Sequence, residues 1–170
     1  MHFSLTHYFE ASIDAYERAL FDPGLMEFLI PRMPSVREVH VLEFREENGV
    51  VHRRRRFFPN PPKTLPAFAR VLKPEYMQWE EHSTFDRATK VFHYENFPNI
   101  PPAYKHYFVN RGEYRLHPEG PARIRRVIDG ELRLKVPLVG GLGEKLIWKE
   151  AERTFEQEAK GLQEFLDRGR

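Results

Sequence analysis

Arg123-Ile124-Arg125-Arg126-Val127-Ile128-Asp129-Gly130-Glu131-Leu132-Arg133-Leu134-Lys135-Val136 is the stretch that decides the fold. Its even positions read Ile124, Arg126, Ile128, Gly130, Leu132, Leu134 and Val136; its odd positions are charged except for Val127. Alternation with period two over that length predicts an antiparallel strand with one face buried and one wet. A Pro/Gly turn follows. Residues 144–168 then change to helical spacing, with Trp148, Ala151, Phe155, Ala159, Leu162 and Leu166 on one stripe. Glu152, Arg153, Glu156, Lys160 and Glu164 lie mostly off it. Such a helix is roughly 37 Å long at its rise per residue, enough to cross a whole sheet. A helix that closes a curved sheet can leave a hollow beneath it.

Working outward from that stretch, the chain opens with Phe3, Leu5, His7 and Phe9 alternating against polar neighbours, a first strand. Ser12 is placed to cap a short helix with Ile13, Tyr16 and Leu20 on one face. Asp22-Pro23 starts a second, with Leu25, Phe28 and Leu29 apolar, stopped by Pro31 and Pro34. Residues 36–46 and 50–58 read as strands around Asn48-Gly49, a strong hairpin signal. Strands are also predicted over 77–85, 89–97 and 107–116, with a Pro-rich connection over 59–74. The order is one strand, two helices, six strands and a long helix. That predicts an α+β fold with an antiparallel sheet, as one domain over 1–170.

Composition narrows the class. Hydrophobic residues make up 41% and charged residues 31% of 170, which excludes a disordered tail or a membrane-embedded chain. The first residues lack signal-peptide anatomy, so a cytoplasmic location is the expectation. Zero Cys excludes disulfides, iron–sulfur centres and a thiol nucleophile. A net charge of +2 gives little steering toward nucleic acid, which is not expected as a partner. Fourteen Phe supply a large apolar payload, and 14 Pro stiffen the loops.

This element order resembles the START-like (SRPBCC, pollen-allergen-type) superfamily. The resemblance is carried by Ile128-Asp129-Gly130-Glu131-Leu132-Arg133-Leu134-Lys135-Val136-Pro137-Leu138-Val139-Gly140-Gly141 and then Glu144-Lys145, similar to a bacterial START-like family of unknown function. Glu47-Asn48-Gly49-Val50-Val51, Leu65-Pro66 and Trp79-Glu80-Glu81-His82-Ser83 followed by Asp86 also resemble PRELI-type lipid-transfer domains. The resemblance implies a helix-grip fold: a seven-stranded curved antiparallel sheet wrapped around the long C-terminal helix, with two short helices after strand 1. It also implies an apolar cavity used for lipids or other hydrophobic ligands. The superfamily includes enzymes, so fold alone does not decide function.

Candidate ligand-binding residues follow from alternation. Met77, Trp79, Glu81, Ser83 and Phe85 share one strand face, against Gln78, Glu80, His82 and Thr84 on the other. A buried Glu81 needs a cation or donors. The run Arg53-Arg54-Arg55-Arg56 puts two guanidiniums on each side of its strand, and Arg126 falls on an apolar face. Glu81 with Arg54 or Arg56, plus Arg126, is expected to form a polar end in a cavity. Ile128, Leu132, Trp148 and Phe155 provide apolar wall, and residues 65–72, with Phe68 and Val71, form a lid. Because Arg grips carboxylate and phosphate in a bidentate way, an amphipathic anion such as a fatty acid or phospholipid suits this arrangement. A one-residue register slip would flip every inward assignment.

Other chemistries find less support. No cofactor and no metal are expected: the eight His make no HxxxH pair, although His82 and His93 could face each other across the turn at Asp86-Arg87-Ala88. Ser83 lacks a nucleophile elbow. Gly140-Gly141-Leu142-Gly143 lacks the Lys-Ser/Thr ending of a phosphate loop. The expected function is non-catalytic binding, or transfer, of a lipid or other hydrophobic or amphipathic small molecule, with transient membrane contact as an accessory. Two alternatives stand: a cyclase, dehydratase or hydrolase using His93, Tyr94 or Glu81 with no assigned catalytic residue, and a protein- or membrane-interaction module with a filled core.

Overall fold

In the computed structural model, residues 1–60, 74–135 and 140–169 are described. Strand β1 (His2–Phe9) leads into helices α1 (Ile13–Leu20) and α2 (Leu25–Leu29), then strands β2 (Val36–Glu47) and β3 (Val50–Pro59). Strands β4 (Trp79–Asp86) and β5 (Val91–Pro98), helix α3 (Pro102–Lys105), and strands β6 (Phe108–Pro118) and β7 (Ile124–Leu134) precede helix α4 (Gly140–Arg168). The strands form one antiparallel seven-stranded sheet, ordered β1-β7-β6-β5-β4-β3-β2. This is the α+β helix-grip arrangement expected from the sequence. No helix among the described residues is long and apolar enough to cross a membrane.

Local chemistry explains the turns. Asn48 and Gly49 both take positive φ, 51° and 78°, which suits the primed turn that matches strand twist in a tight hairpin. Ser12 caps α1, its Oγ accepting from Ala15 N at 3.2 Å. Asp86 Oδ1 accepts from Ala88 N and Thr89 N, so the β4–β5 turn is held by its own side chain.

Several boundaries differ from expectation. Met77 belongs to a 3-10 turn, Pro74–Met77, and β4 starts at Trp79. Helix α4 starts at Gly140 instead of residue 144. The Pro98–Pro102 connection holds the four-residue α3, because Pro102 presets φ at a helix start. The lid expected over 65–72 lies outside the described residues.

Register arranges the inner face of the sheet in rows. The lowest full row runs Val51, Phe85, Phe92, Tyr114, Ile128, Leu5 across six strands. Phe92 and Tyr114 stack at 4.4 Å between centroids. Tyr16, Leu20, Leu25 and Leu29 of the short helices and Leu162 and Leu166 of α4 complete this core. Each fully buried aliphatic or Phe side chain here contributes roughly 1.5–3 kcal/mol relative to exposure. Helix α4 approaches β7, α1 and α2 most closely. The space under its C-terminal part is therefore closed by apolar packing.

One row higher, the residues are Arg53, Ser83, Tyr94, Gly112, Gly130 and Phe3. The two glycines make room. A Cβ on Gly130 would meet Phe3 Cζ at 2.3 Å, and one on Gly112 would meet Tyr94 Oη at 2.8 Å. Phe3 and the tip of Tyr94 thus lie flat against the sheet, and the row turns from apolar to polar toward β3.

Candidate ligand-binding site

Above that row stand Arg55, Glu81 and Asn96, and above them Phe57 and Trp79 on neighbouring strands. Phe57 and Trp79 stack with centroids 4.9 Å apart and planes 5° from parallel. From the facing helix, Trp148 packs on Phe3 at 4.3 Å, while Phe155 lies 6.3 Å from Phe3 and 6.4 Å from Tyr94. The inner wall of β3, β4 and β5 is therefore a polar band under an aromatic rim.

Glu81 anchors the band. Arg55 donates to it from Nε at 3.2 Å and from Nη2 at 2.8 and 3.0 Å, and Arg53 Nη2 lies 3.7 Å away. Arg55 Nη1 also reaches Met26 Sδ at 3.2 Å. Arg53, Arg55 and Glu81 are 8%, 12% and 13% exposed, so two cations share one carboxylate in a nearly closed space. Arg53 has one long hydrogen bond, from Nη1 to Leu20 O at 3.5 Å, and its guanidinium rests 5.7 and 5.5 Å from the Phe21 and Phe92 ring centres. Arg53 Nε, Tyr94 Oη and Asn96 Oδ1 are buried without a partner among the described residues.

Electrostatics follow from this geometry. Burial pushes the Glu81 carboxyl up, but Arg55 and Arg53 outweigh it and hold the group below the ordinary range. Burial, helped by Arg55, draws Arg53 down to about 10, so it stays charged at neutral pH. Burial and then the charge of Glu81 raise the Tyr94 hydroxyl, which keeps its proton.

A second buried cluster lies lower, four residues along β7 from Gly130 and so roughly 13 Å from the row that holds Arg53. Arg126, 2% exposed, donates to Glu158 Oε2 at 2.7 Å and Oε1 at 3.2 Å. It also donates to Tyr16 Oη at 3.1 Å and to His7 Nδ1 at 3.2 Å. Because Nδ1 accepts, the His7 proton sits on Nε2 and points at Glu156, 3.2 Å away. Burial first, then Arg126, holds the His7 imidazole below its usual range despite Glu156 and Glu158. Burial pushes Tyr16 up to about 12.

These positions correct part of the sequence expectation. Arg54 and Arg56 lie on the outer face, 44% and 45% exposed, where both meet Glu80 and Arg54 also meets Glu43. The reason is register: Arg55 stands opposite Glu81, whereas Arg54 stands opposite His82. Arg126 faces inward as expected, but in the separate lower cluster. Trp79, Glu81 and Phe85 share the inner face of β4, with Phe85 fully buried. Ile128 and Leu132 are buried, and Trp148 and Phe155 are partly covered; Met77, in its turn, is half-buried. Arg53, Arg55, Tyr94 and Asn96 were not singled out as ligand contacts. His93 stands opposite Thr84 and His82 opposite Glu95, so the two histidines do not face each other.

The seven-stranded sheet and its long C-terminal helix have the START-like, helix-grip fold. A START superfamily protein from Mycobacterium smegmatis aligns over 99% of each chain with 16% identity and a TM-score of 0.60. The Zhui aromatase/cyclase from a Streptomyces species aligns over 99% of this chain and 94% of its own, with 16% identity and a TM-score of 0.70. Norcoclaurine synthase from Thalictrum flavum, in complex with dopamine and hydroxybenzaldehyde, covers 100% of this chain and 88% of its own, with 15% identity and a TM-score of 0.61. At these identities the likeness is one of fold. No curated protein matches the chain. Residues 4–166 match the model of a family described as protein of unknown function (DUF2505), and the chain belongs to that family.

Proposed function

We propose that this domain binds a hydrophobic or amphipathic small molecule between the sheet and α4, and performs no chemistry on it. One contrast carries the reading. On the lower inner face, Phe85, Phe92, Tyr114, Ile128 and Leu162 are buried in one cluster. On the upper inner face, Trp79, Arg55, Glu81, Trp148 and Phe155 point inward yet stay only partly covered. Aromatic and apolar walls with a few converging polar groups are the usual makeup of a small-molecule site. Norcoclaurine synthase, built on the same fold, holds dopamine and hydroxybenzaldehyde.

The polar groups support binding over catalysis. Glu81, ionised between two arginines, is a poor proton donor and a weak base. Tyr94 keeps its proton, and His93, on the exposed outer face, stands apart from both. The test is N-phenyl-1-naphthylamine fluorescence alongside native mass spectrometry of protein purified from cells. A saturable enhancement at one dye per chain, competed by a co-purifying small molecule, is expected. Absence of saturable dye uptake together with a bare protein mass overturns the reading.

A further inference from the structure

The upper cluster is unbalanced in one direction. Among the described residues Glu81 is the single carboxylate between the Arg53 and Arg55 guanidiniums, so this triplet carries one surplus positive charge. A buried cation short of partners is costly, and proteins ordinarily supply its counter-charge. Among the described residues no second carboxylate joins Glu81 within 4.0 Å of the pair, while on the outer face Arg54 and Arg56 have Glu80 and Glu43 between them. The unused groups have the matching polarity. Arg53 Nε and Tyr94 Oη are donors without an acceptor, both on the same inner row with only Ser83 between them. The third, Asn96, can turn its amide to present NH2. Apolar rings flank these donors on both sides: Phe21 and Phe92 beside Arg53, Phe155 beside Tyr94.

Resting on the pocket reading above, we propose that the ligand is anionic at one end. Its carboxylate, phosphate or sulfonate is received by Arg53, with Arg55 and Tyr94 alongside, while its apolar body lies against Trp79, Phe57 and Phe155. The ligand then completes a charge balance that the chain leaves open, and the Arg53–Arg55–Glu81 triplet sets its orientation. Arg fits this role because its planar fork matches an oxyanion in a bidentate way.

Two dyes with one ring system separate charge from greasiness: 8-anilinonaphthalene-1-sulfonate and its uncharged counterpart, N-phenyl-1-naphthylamine. Their dissociation constants are measured on the intact chain and on Arg53→Met, Arg56→Met and Glu81→Gln. The unaltered protein is expected to bind the sulfonate about tenfold more tightly than the neutral dye, a difference of about 1.4 kcal/mol. Arg53→Met is expected to bring the two dyes together by weakening only the sulfonate. Arg56→Met, on the outer face, keeps the preference. Glu81→Gln, which removes the counter-charge that Arg53 and Arg55 share, widens it, and so tests the idea even if Arg53→Met fails to fold. Equal binding of both dyes by the unaltered protein overturns the charge inference and leaves the pocket standing. A sulfonate preference that survives Arg53→Met, or that Glu81→Gln reduces, overturns it as well. If neither dye saturates a single site, the pocket reading falls and takes this one with it.

Discussion

Arg126 and Arg53 are both buried guanidiniums on the inner face of one sheet, each with an unpartnered Nε, yet their remaining nitrogens are paired very unequally. Arg126 is surrounded: a bidentate carboxylate from α4, a hydroxyl from α1 and an imidazole from β1 all converge on it. Arg53 shares half of Glu81 with Arg55 and otherwise leans on a carbonyl and two rings. The difference teaches that burial of charge serves two ends here. Around Arg126 the partners come from three elements and tie α4 and α1 to the sheet. Around Arg53 the deficit faces the partly covered half of the interior.

The sharpest way to break this comparison is to delete the well-paired cation. Arg126→Met leaves Glu158, Tyr16 and His7 without their common donor, and losing one member of a buried pair costs about 3–5 kcal/mol. Urea unfolding is expected to show that loss, and a change below about 1 kcal/mol would mean that Arg126 ties nothing together. Tyr16→Phe is milder. It removes one hydrogen bond, while Arg126 keeps Glu158, so about 1 kcal/mol is expected in the same measurement.

Acid sharpens the comparison differently. His7 is neutral in the fold, with Arg126 on one ring nitrogen and Glu156 on the other, and Tyr16 and Glu158 holding the same Arg126 guanidinium. In the unfolded chain its imidazole takes a proton below about pH 6.5, but in the fold it does so only at lower pH. The unfolded state then binds more protons, so stability present above that pH is lost as pH falls toward the depressed folded value. His7→Gln accepts and donates as the neutral ring does, without titrating. Thermal midpoints at pH 5.5 and 7.5 are expected to fall less on acidification for His7→Gln than for the unaltered chain. Parallel losses would remove His7 from the account.

What the sequence disclosed tracks how local each determinant is. The hairpin at Asn48-Gly49 and the alternation of β7 are written in adjacent residues, whereas the pairing of β1 with β7 joins opposite ends of the chain. The run Val50-Val51-His52-Arg53-Arg54-Arg55-Arg56-Phe57-Phe58 is different. It has an apolar pair at each end, so either parity puts apolar residues inside, and nothing within it tells Arg53 and Arg55 from Arg54 and Arg56. No tight turn joins β3 to β4, so turn chemistry could not settle the register either. Glu81 was legible as inward because Trp79, Ser83 and Phe85 share its parity. The partners of Arg126 were not, since His7, Tyr16 and Glu158 lie 119, 110 and 32 positions away.

The smallest expected effect is the most informative about the upper cluster. Arg53→Met removes a cation that, among the described residues, shares its one carboxylate with Arg55, while Glu81 keeps Arg55 and the methionine chain fills much of the same volume beside Phe21 and Phe92. Replacing poorly compensated buried charge by an apolar side chain is often neutral or stabilising, so the unliganded protein is expected to change by no more than about 1 kcal/mol. The exposed Arg56→Met sets the reference, since a surface ion pair is worth about 0–1 kcal/mol. If Arg53→Met unfolds as readily as Arg126→Met, the two arginines are structural equivalents and the upper cluster is core. If it matches Arg56→Met, the fold does not need Arg53, and a buried cation the fold does not need is one kept for something that arrives from outside.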